Sequence, residues 1–420
     1  MSNEVMLIRG GIPLEGTVRV SGGKNTSVAV MPATLLSDEP CVIENLPDIS
    51  DVHAMVDILS SLGAKVSFRD GRMEVDPTSV SSSQVGYEHA RRLRGSYYLM
   101  GVLLGRYHEF EVAQPGGCDI GLRMIDQHLK GFRALGASVE ERNGIVTAKA
   151  TRLTGAKINF DQVTVGGTIN VMLAACRAEG NSILLNAAKE PHVVDVANFL
   201  NSMGASIKGA GTDTIRISGR PNLHGSSYAV IPDQIETGTL MIAAAATHGD
   251  VVISNCIPTH MEALTAKLLE MGVRVEEQGD AIEVRGAGPH RGVRVKTQVY
   301  PGFPTDLQQP MSALLTTASG DSEIYETIFE NRFRHVDELN RMGANIRVSG
   351  RLALFTGVPE LLSAPVTVTD LRAGAALLVA GLMASGETEI HAPEYIDRGY
   401  EHIEDKLRAL HADIRRERLG

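Results

Sequence analysis

The chain has no tryptophan and only nine phenylalanines and nine tyrosines among its 420 residues. Stacking platforms for nucleic-acid bases are therefore scarce, and no basic run interleaves with the few aromatics present. Together with a formal charge of −10, this excludes the cationic stripe of a nucleic-acid reader. Cysteine is equally sparse. Cys41, Cys118, Cys176 and Cys256 stand far apart with no CxxC pair, which argues against a disulfide framework or a zinc site. No stretch of about 18 apolar residues would span a bilayer, and Met1-Ser2-Asn3-Glu4 lacks the basic start and apolar core of a secretion signal. A GxGxxG between strand and helix and an HExxH are both missing, so neither a dinucleotide nor a metal cofactor is expected. What remains reads as a cytoplasmic globular protein, free of membrane partners and long enough for two or three domains.

What is abundant is glycine, 43 residues, and its placement is periodic. An apolar helical run, a small turn and a β-branched strand return six times, at Ser61-Leu62-Gly63-Ala64, Ala134-Leu135-Gly136-Ala137, Ser202-Met203-Gly204-Ala205, Glu270-Met271-Gly272-Val273, Arg341-Met342-Gly343-Ala344 and Ala409-Leu410-His411-Ala412. A spacing of roughly 70 residues is too long for a solenoid and suits a small α/β unit used six times. In the first copy, Val18-Arg19-Val20 reads as the opening strand and Lys24 to Leu36 as a helix that Pro32 disturbs. Cys41-Val42-Ile43 is the next strand. A second helix from Ser50 to Leu62 carries Val52, Met55, Val56, Leu59 and Leu62 at helical spacing, and Gly63 ends it as a left-handed cap.

The copies differ most in the loops that enter these helices. There Lys24, Arg94, Arg123, Arg332, Arg372 and Arg398 occupy matching positions in four of the six units. A helix start already carries partial positive charge, so a cation there is unfavourable on local grounds. Any one of them could pair with a carboxylate such as Asp51, Asp370 or Asp397. Six together point instead to a small polyanionic ligand focused by a cationic cleft.

The phrases Ser21-Gly22-Gly23-Lys24-Asn25, Pro115-Gly116-Gly117-Cys118, Thr369-Asp370-Leu371-Arg372 and Ile396-Asp397-Arg398-Gly399-Tyr400-Glu401 strongly resemble the UDP-N-acetylglucosamine 1-carboxyvinyltransferase family. These are enolpyruvyl transferases of bacterial peptidoglycan synthesis, and the likeness runs from about Ile8 to Ile414. It implies an α/β fold of two domains, an inside-out α/β barrel with three repeated units per domain. The first domain would span 22–230 and carry the Cys118 lid loop. The second would take 1–21 and 231–420, with the active site in the cleft between them.

The resemblance also implies roles. Cys118 would be the proton donor at C3 of phosphoenolpyruvate, Asp306 the base at the sugar hydroxyl, and Lys24 a contact of the phosphate. Asn25, Arg123, Arg332, Arg372 and Arg398 would complete the phosphoenolpyruvate site, with forked guanidinium donors on the carboxylate. UDP-N-acetylglucosamine would meet Asn25, Arg94, Arg123, Met124, Ile125, Asp126 and Gln127, the segment Gln162, Val163, Thr164, Val165 and Gly166, and Asp306 and Ile328. Asp306 has a plainer alternative as a helix N-cap, and Asp370 is expected to orient Arg372 or Lys24. Gln162 stands where several relatives carry lysine, and His411 replaces a usual glycine. The Gly-Gly-Cys loop implies sensitivity to the phosphonate epoxide fosfomycin. Two rival readings remain: the sister transferase acting on shikimate 3-phosphate, which lacks that loop, and a non-catalytic sensor of the nucleotide sugar, which would need neither acid nor base.

Overall fold

A computed structural model of the chain describes residues 4–114, 121 and 123–418. They divide into two compact units, one made of residues 22–114 and 123–231, the other of residues 4–21 and 232–418. Each unit holds three four-stranded sheets. The third repeat shows the pattern in full. Lys157–Asn159 runs parallel to Asn181–Leu185, with the helix Val165–Ala175 between them in sequence. After the helix Pro191–Ser202 comes a hairpin, Ser206–Lys208 with Thr214–Ser218, and its second strand pairs antiparallel with Asn181–Leu185.

The first helix of each repeat is largely buried, and the structure explains why no amphipathic stripe marks it. Gly166 to Ala175, Ile235 to Ala246 and Leu371 to Leu382 are buried without a break. In one unit the helices Lys24–Ala33, Tyr98–Tyr107 and Val165–Ala175 pack on one another. In the other, Gln234–Ala246, Gln308–Leu315 and Leu371–Met383 do the same. A helix buried all round has no polar face to show. Each enclosed aliphatic side chain contributes about 1.5–3 kcal/mol. Closest approach falls at Gly101, where an added Cβ would lie 2.3 Å from the Asn170 carbonyl oxygen. The sheets lie outside these helices, their strands alternating between buried and exposed positions. Among the described residues, no helix is long and apolar enough to cross a membrane.

Two features depart from the reading of single repeats. The strand before the first helix, Glu15–Arg19, does not join the first repeat's sheet. It runs parallel to Asp250–Ser254 of the fourth repeat, while Ser227–Ala229, which precedes the fourth repeat's helix, pairs with Cys41–Glu44 of the first. The two opening strands are thus exchanged, because the chain passes from one unit to the other immediately after each. Gly22 permits the turn: a Cβ there would lie 1.6 Å from the Asn45 carbonyl oxygen. The sixth sheet takes its missing strand from Glu4–Arg9, which pairs antiparallel with both Glu387–His391 and Asp413–Arg418. The second departure is at Pro32. The α-helix stops at Ala33 and continues as a 3-10 turn over Thr34–Leu36, since proline removes one N–H from the ladder.

The repeated glycine is left-handed wherever it occurs, with φ of 101° at Gly63, 100° at Gly136, 93° at Gly204, 95° at Gly272 and 92° at Gly343. His411 holds the same place at φ 71°. The position therefore keeps its conformation although a side chain makes it costly. His411→Gly should raise unfolding stability by about 0.5–1 kcal/mol, measured by chemical denaturation. Unchanged or lower stability would mean that the histidine side chain makes a compensating contact.

Candidate active site

Each unit carries its own cluster of candidate residues, built on helix starts and the loops before them. In the unit of residues 22–231, Lys24 is the first residue of the helix Lys24–Ala33, whose start no side chain caps. Its Nζ lies 3.2 Å from the carboxylate of Asp51, a buried acid in the first turn of the helix Ser50–Ser61. The carboxylate partner weighed for these cations is thus realised at Lys24. Asn25 follows, half-buried.

The cations of the second repeat come together. Arg94 sits in a 3-10 turn, Arg94–Tyr97, and donates from Nη2 to the Arg123 carbonyl at 2.7 Å. Its guanidinium lies over the Tyr97 ring, 5.7 Å from the centroid. Burial, reinforced by the Arg123 charge, lowers its pKa to about 10. Two cations share a partly desolvated corner, an arrangement that an anion would relieve. Met124 beside them is 66% exposed and Ile125 is buried. Asp126 opens the helix Asp126–Ala134. Gln127 is occupied structurally: its amide donates to Asp126 and Asp161 and accepts from the Asp161 N–H. It thereby ties down the loop that holds Gln162, which is exposed, and half-buried Val163. Thr164 caps the helix beginning at Val165 by accepting from the Gly167 N–H at 3.2 Å. Gly166 must be glycine, because a Cβ would fall 2.7 Å from both His128 Nε2 and the Tyr97 hydroxyl.

In the other unit the acid and two arginines form one cluster. Asp306 lies in the 3-10 turn Thr305–Leu307. One carboxylate oxygen accepts from Arg332 Nη2 at 2.6 Å and the other from Arg372 Nη2 at 3.1 Å. It does not cap the helix Gln308–Leu315, so the N-cap alternative fails. Both guanidinium groups are buried, Arg332 over the Phe329 ring and Arg372 over the Tyr400 ring. Burial works against the Arg372 charge, but Asp306 and Tyr400 outweigh it and raise its pKa. Asp370 does cap a helix. Its carboxylate accepts from the Arg372 and Ala373 backbone N–H groups, so it fixes Arg372 through the main chain and not through the guanidinium. Arg398 ends the 3-10 turn Pro393–Arg398, and its neighbour Asp397 forms a two-bond pair with Arg416. Ile328 is half-buried beside Phe329. Cys118 lies outside the described residues.

Several residues at these clusters escaped the sequence reading. Tyr400, quoted within the Arg398 phrase, accepts from Arg372 Nη1 at 3.2 Å and shares a hydrogen bond with Thr239. His128 and His335 are buried with neither ring nitrogen bonded. Burial, with Arg94 nearby, pushes His128 down to about 3, and burial takes His335 down to about 4 despite Asp370. Both stay neutral at pH 7 and add no cation to either cluster. Glu326 is wholly buried.

Among solved structures, the enolpyruvyl transferase NikO from Streptomyces tendae superposes with a TM-score of 0.90 at 27% identity, covering 99% of each chain. The fold is that of the enolpyruvyl transferases. A family model described as EPSP synthase (3-phosphoshikimate 1-carboxyvinyltransferase) matches residues 8–407. The UDP-N-acetylglucosamine 1-carboxyvinyltransferase of Clostridium botulinum is 57% identical over 409 residues, 97% of this chain and 98% of the relative. A Bacillus subtilis protein named UDP-N-acetylglucosamine 1-carboxyvinyltransferase 2 is 54% identical over 417 residues, 99% and 97% of the two chains. The chain belongs to the 1-carboxyvinyltransferase family that these relatives define.

Three of the four cysteines lie among the described residues, and all three are buried. Burial raises the thiols of Cys41, Cys176 and Cys256, to about 12 and about 11 for the latter two. A protonated, enclosed thiol is a poor nucleophile. Under native conditions at pH 8 these three should resist iodoacetamide and react only once denaturant is added. Peptide mass mapping checks this, and prompt native labelling of any of them would contradict the burial described.

Proposed function

We propose that the chain transfers the enolpyruvyl group of phosphoenolpyruvate to the 3-hydroxyl of UDP-N-acetylglucosamine and releases phosphate, in the cytoplasm, as the committing step of peptidoglycan synthesis. The observation that carries this reading is identity above 50% over nearly the whole chain to relatives bearing that name. The same relatives disfavour shikimate 3-phosphate as acceptor. A sensor role is disfavoured by the retained acid and base candidates.

The reaction is addition followed by elimination. The sugar oxygen bonds to C2 of phosphoenolpyruvate while C3 gains a proton. The C2–O bond to phosphate then breaks as C3 loses a proton. Cys118 serves as the acid at C3 and Asp306 takes the hydroxyl proton. Lys24, Arg123 and Arg398 neutralise the phosphate, and Arg332, Arg372 and Arg398 receive the carboxylate. Asn25, Arg94, the segment from Arg123 to Gln127, the segment from Gln162 to Gly166, and Ile328 hold the nucleotide sugar. Asp306 occupies the two guanidinium forks that the substrate carboxylate needs. A guanidinium has five donors and can serve both. As the substrate carboxylate draws on Arg332 and Arg372, Asp306 is stabilised less by its pairs and becomes a better base.

Phosphate release from phosphoenolpyruvate should depend on UDP-N-acetylglucosamine and should not be supported by shikimate 3-phosphate. A coupled phosphate assay with each acceptor tests this, and turnover with the second alone would reassign the substrate.

Cys118 should be the residue alkylated by fosfomycin, faster in the presence of the nucleotide sugar. Cys118→Asp keeps a proton-carrying group without the sulfur nucleophile and should retain turnover with resistance to the epoxide. Cys118→Ser, whose hydroxyl is far too weak an acid, should lose most activity. Full activity of the serine variant would remove Cys118 from the mechanism.

A further inference from the structure

At the residue after the second strand of a repeat, three copies carry the same device. Asn45, Asn186 and Asn255 take left-handed backbones, with φ of 59°, 56° and 56°. Each side-chain amide donates to the carbonyl that follows the neighbouring parallel strand, of Val230 at 2.8 Å, Phe160 at 3.0 Å and Val20 at 2.7 Å. In the fifth repeat this position is Glu326, after the strand Asp321–Tyr325, and its backbone is not left-handed. The residue it faces on the neighbouring strand is Thr297, and the hydrogen bond is reversed: the Thr297 hydroxyl donates to Glu326 Oε1 at 2.9 Å.

The exchange of an amide for a carboxylate turns a donor into an acceptor, and the acceptor is fully used. Oε1 also receives the backbone N–H groups of Ile328 at 2.8 Å and Phe329 at 3.2 Å. Oε2 receives the Thr305 hydroxyl at 2.8 Å. Four donors thus converge on this one carboxyl group. The same Thr305 oxygen accepts from Arg332 Nη1 at 2.9 Å, while Nη2 of that guanidinium holds Asp306. A chain of hydrogen bonds therefore runs from Glu326 through Thr305 and Arg332 to Asp306, and a second branch fixes the loop that carries Ile328. Strand pairing alone needs no such arrangement, since asparagine suffices in three other repeats.

We infer that Glu326 is a positioning residue for the transfer reaction, holding Arg332 and Asp306 in register with the Ile328–Phe329 loop by way of Thr305. The inference rests on the function proposed above, in which Asp306 accepts the sugar hydroxyl proton. Glu326 itself touches no substrate.

The test compares phosphate release by the wild type with that of three variants. Glu326→Asn installs the residue found in three other repeats, and Thr305→Val removes the hydroxyl while keeping its volume. Misplacing the acid–base group should lower kcat by about 10- to 100-fold. In Thr305→Val the KM for UDP-N-acetylglucosamine should stay within about threefold, because the bonds from Glu326 to the Ile328–Phe329 loop are untouched. Thr305→Ser, which restores the hydroxyl, should recover most of kcat. A residue important only for stability would lower the melting temperature of both damaging variants and leave kcat intact. If Glu326→Asn fails to fold, the Thr305 pair decides alone. Wild-type kcat in Thr305→Val, or no recovery in Thr305→Ser, would overturn the inference. Absence of phosphate release from the wild type with UDP-N-acetylglucosamine would overturn the functional reading and the inference with it.

Discussion

The enclosure of three helices in each unit dictates where chemistry can happen. A helix buried on every side offers no face for polar side chains, so only its first residues and the loop before it remain free to vary. Lys24, Arg94, the Val165–Gly166 start, Asp306 and Arg372 all occupy such places. Stability and function are thereby separated along each repeat. Aliphatic helix bodies supply the core, while the entry loops carry charge without disturbing it.

Charge burial is the second constraint. Arg332 and Arg372 are 3% and 4% exposed, and an isolated guanidinium at such depth would be costly. Asp306 balances one of the two charges, and Tyr400 and Thr305 take up further donors. In the Arg94–Arg123 corner, by contrast, two guanidinium charges stand near each other. Such a corner favours an anion even in a protein of net charge −10.

The repeat frame was legible because it rests on local rules: a left-handed glycine ends a helix, and β-branched residues follow. Gly63, Gly136, Gly204, Gly272 and Gly343 all obey them. The exchange of Glu15–Arg19 with Ser227–Ala229 was not legible, since nothing in a three- to five-residue strand names its partner. Of the candidate site, the cations stood out because they recur in the loops that enter helices; Lys24 and Arg372 lie in the first turn of one, whereas Arg398 closes a 3-10 turn. The pairing of Asp306 with two of them did not, because it joins residues 26 and 66 positions apart. His128 and His335 read as ordinary polar residues within helical segments. Glu326 reads as a solvated acid at a strand end, and only comparison across repeats in three dimensions sets it against Asn45, Asn186 and Asn255.

The strand Glu4–Arg9 is held between Glu387–His391 and Asp413–Arg418, so residues nearly the whole chain apart are neighbours in one sheet. During synthesis this segment emerges early and waits for both partners. The helices and sheets of residues 22–231 involve no strand from the last repeat and can assemble meanwhile. The sixth sheet, by contrast, has the highest sequence separation in the fold and carries a heavy loop-closure cost before any contact repays it. Until then Glu4–Arg9 is an unpaired strand with apolar side chains at Val5, Met6 and Ile8, the kind of edge that invites pairing with another chain. Aggregation during folding should therefore originate at this sheet.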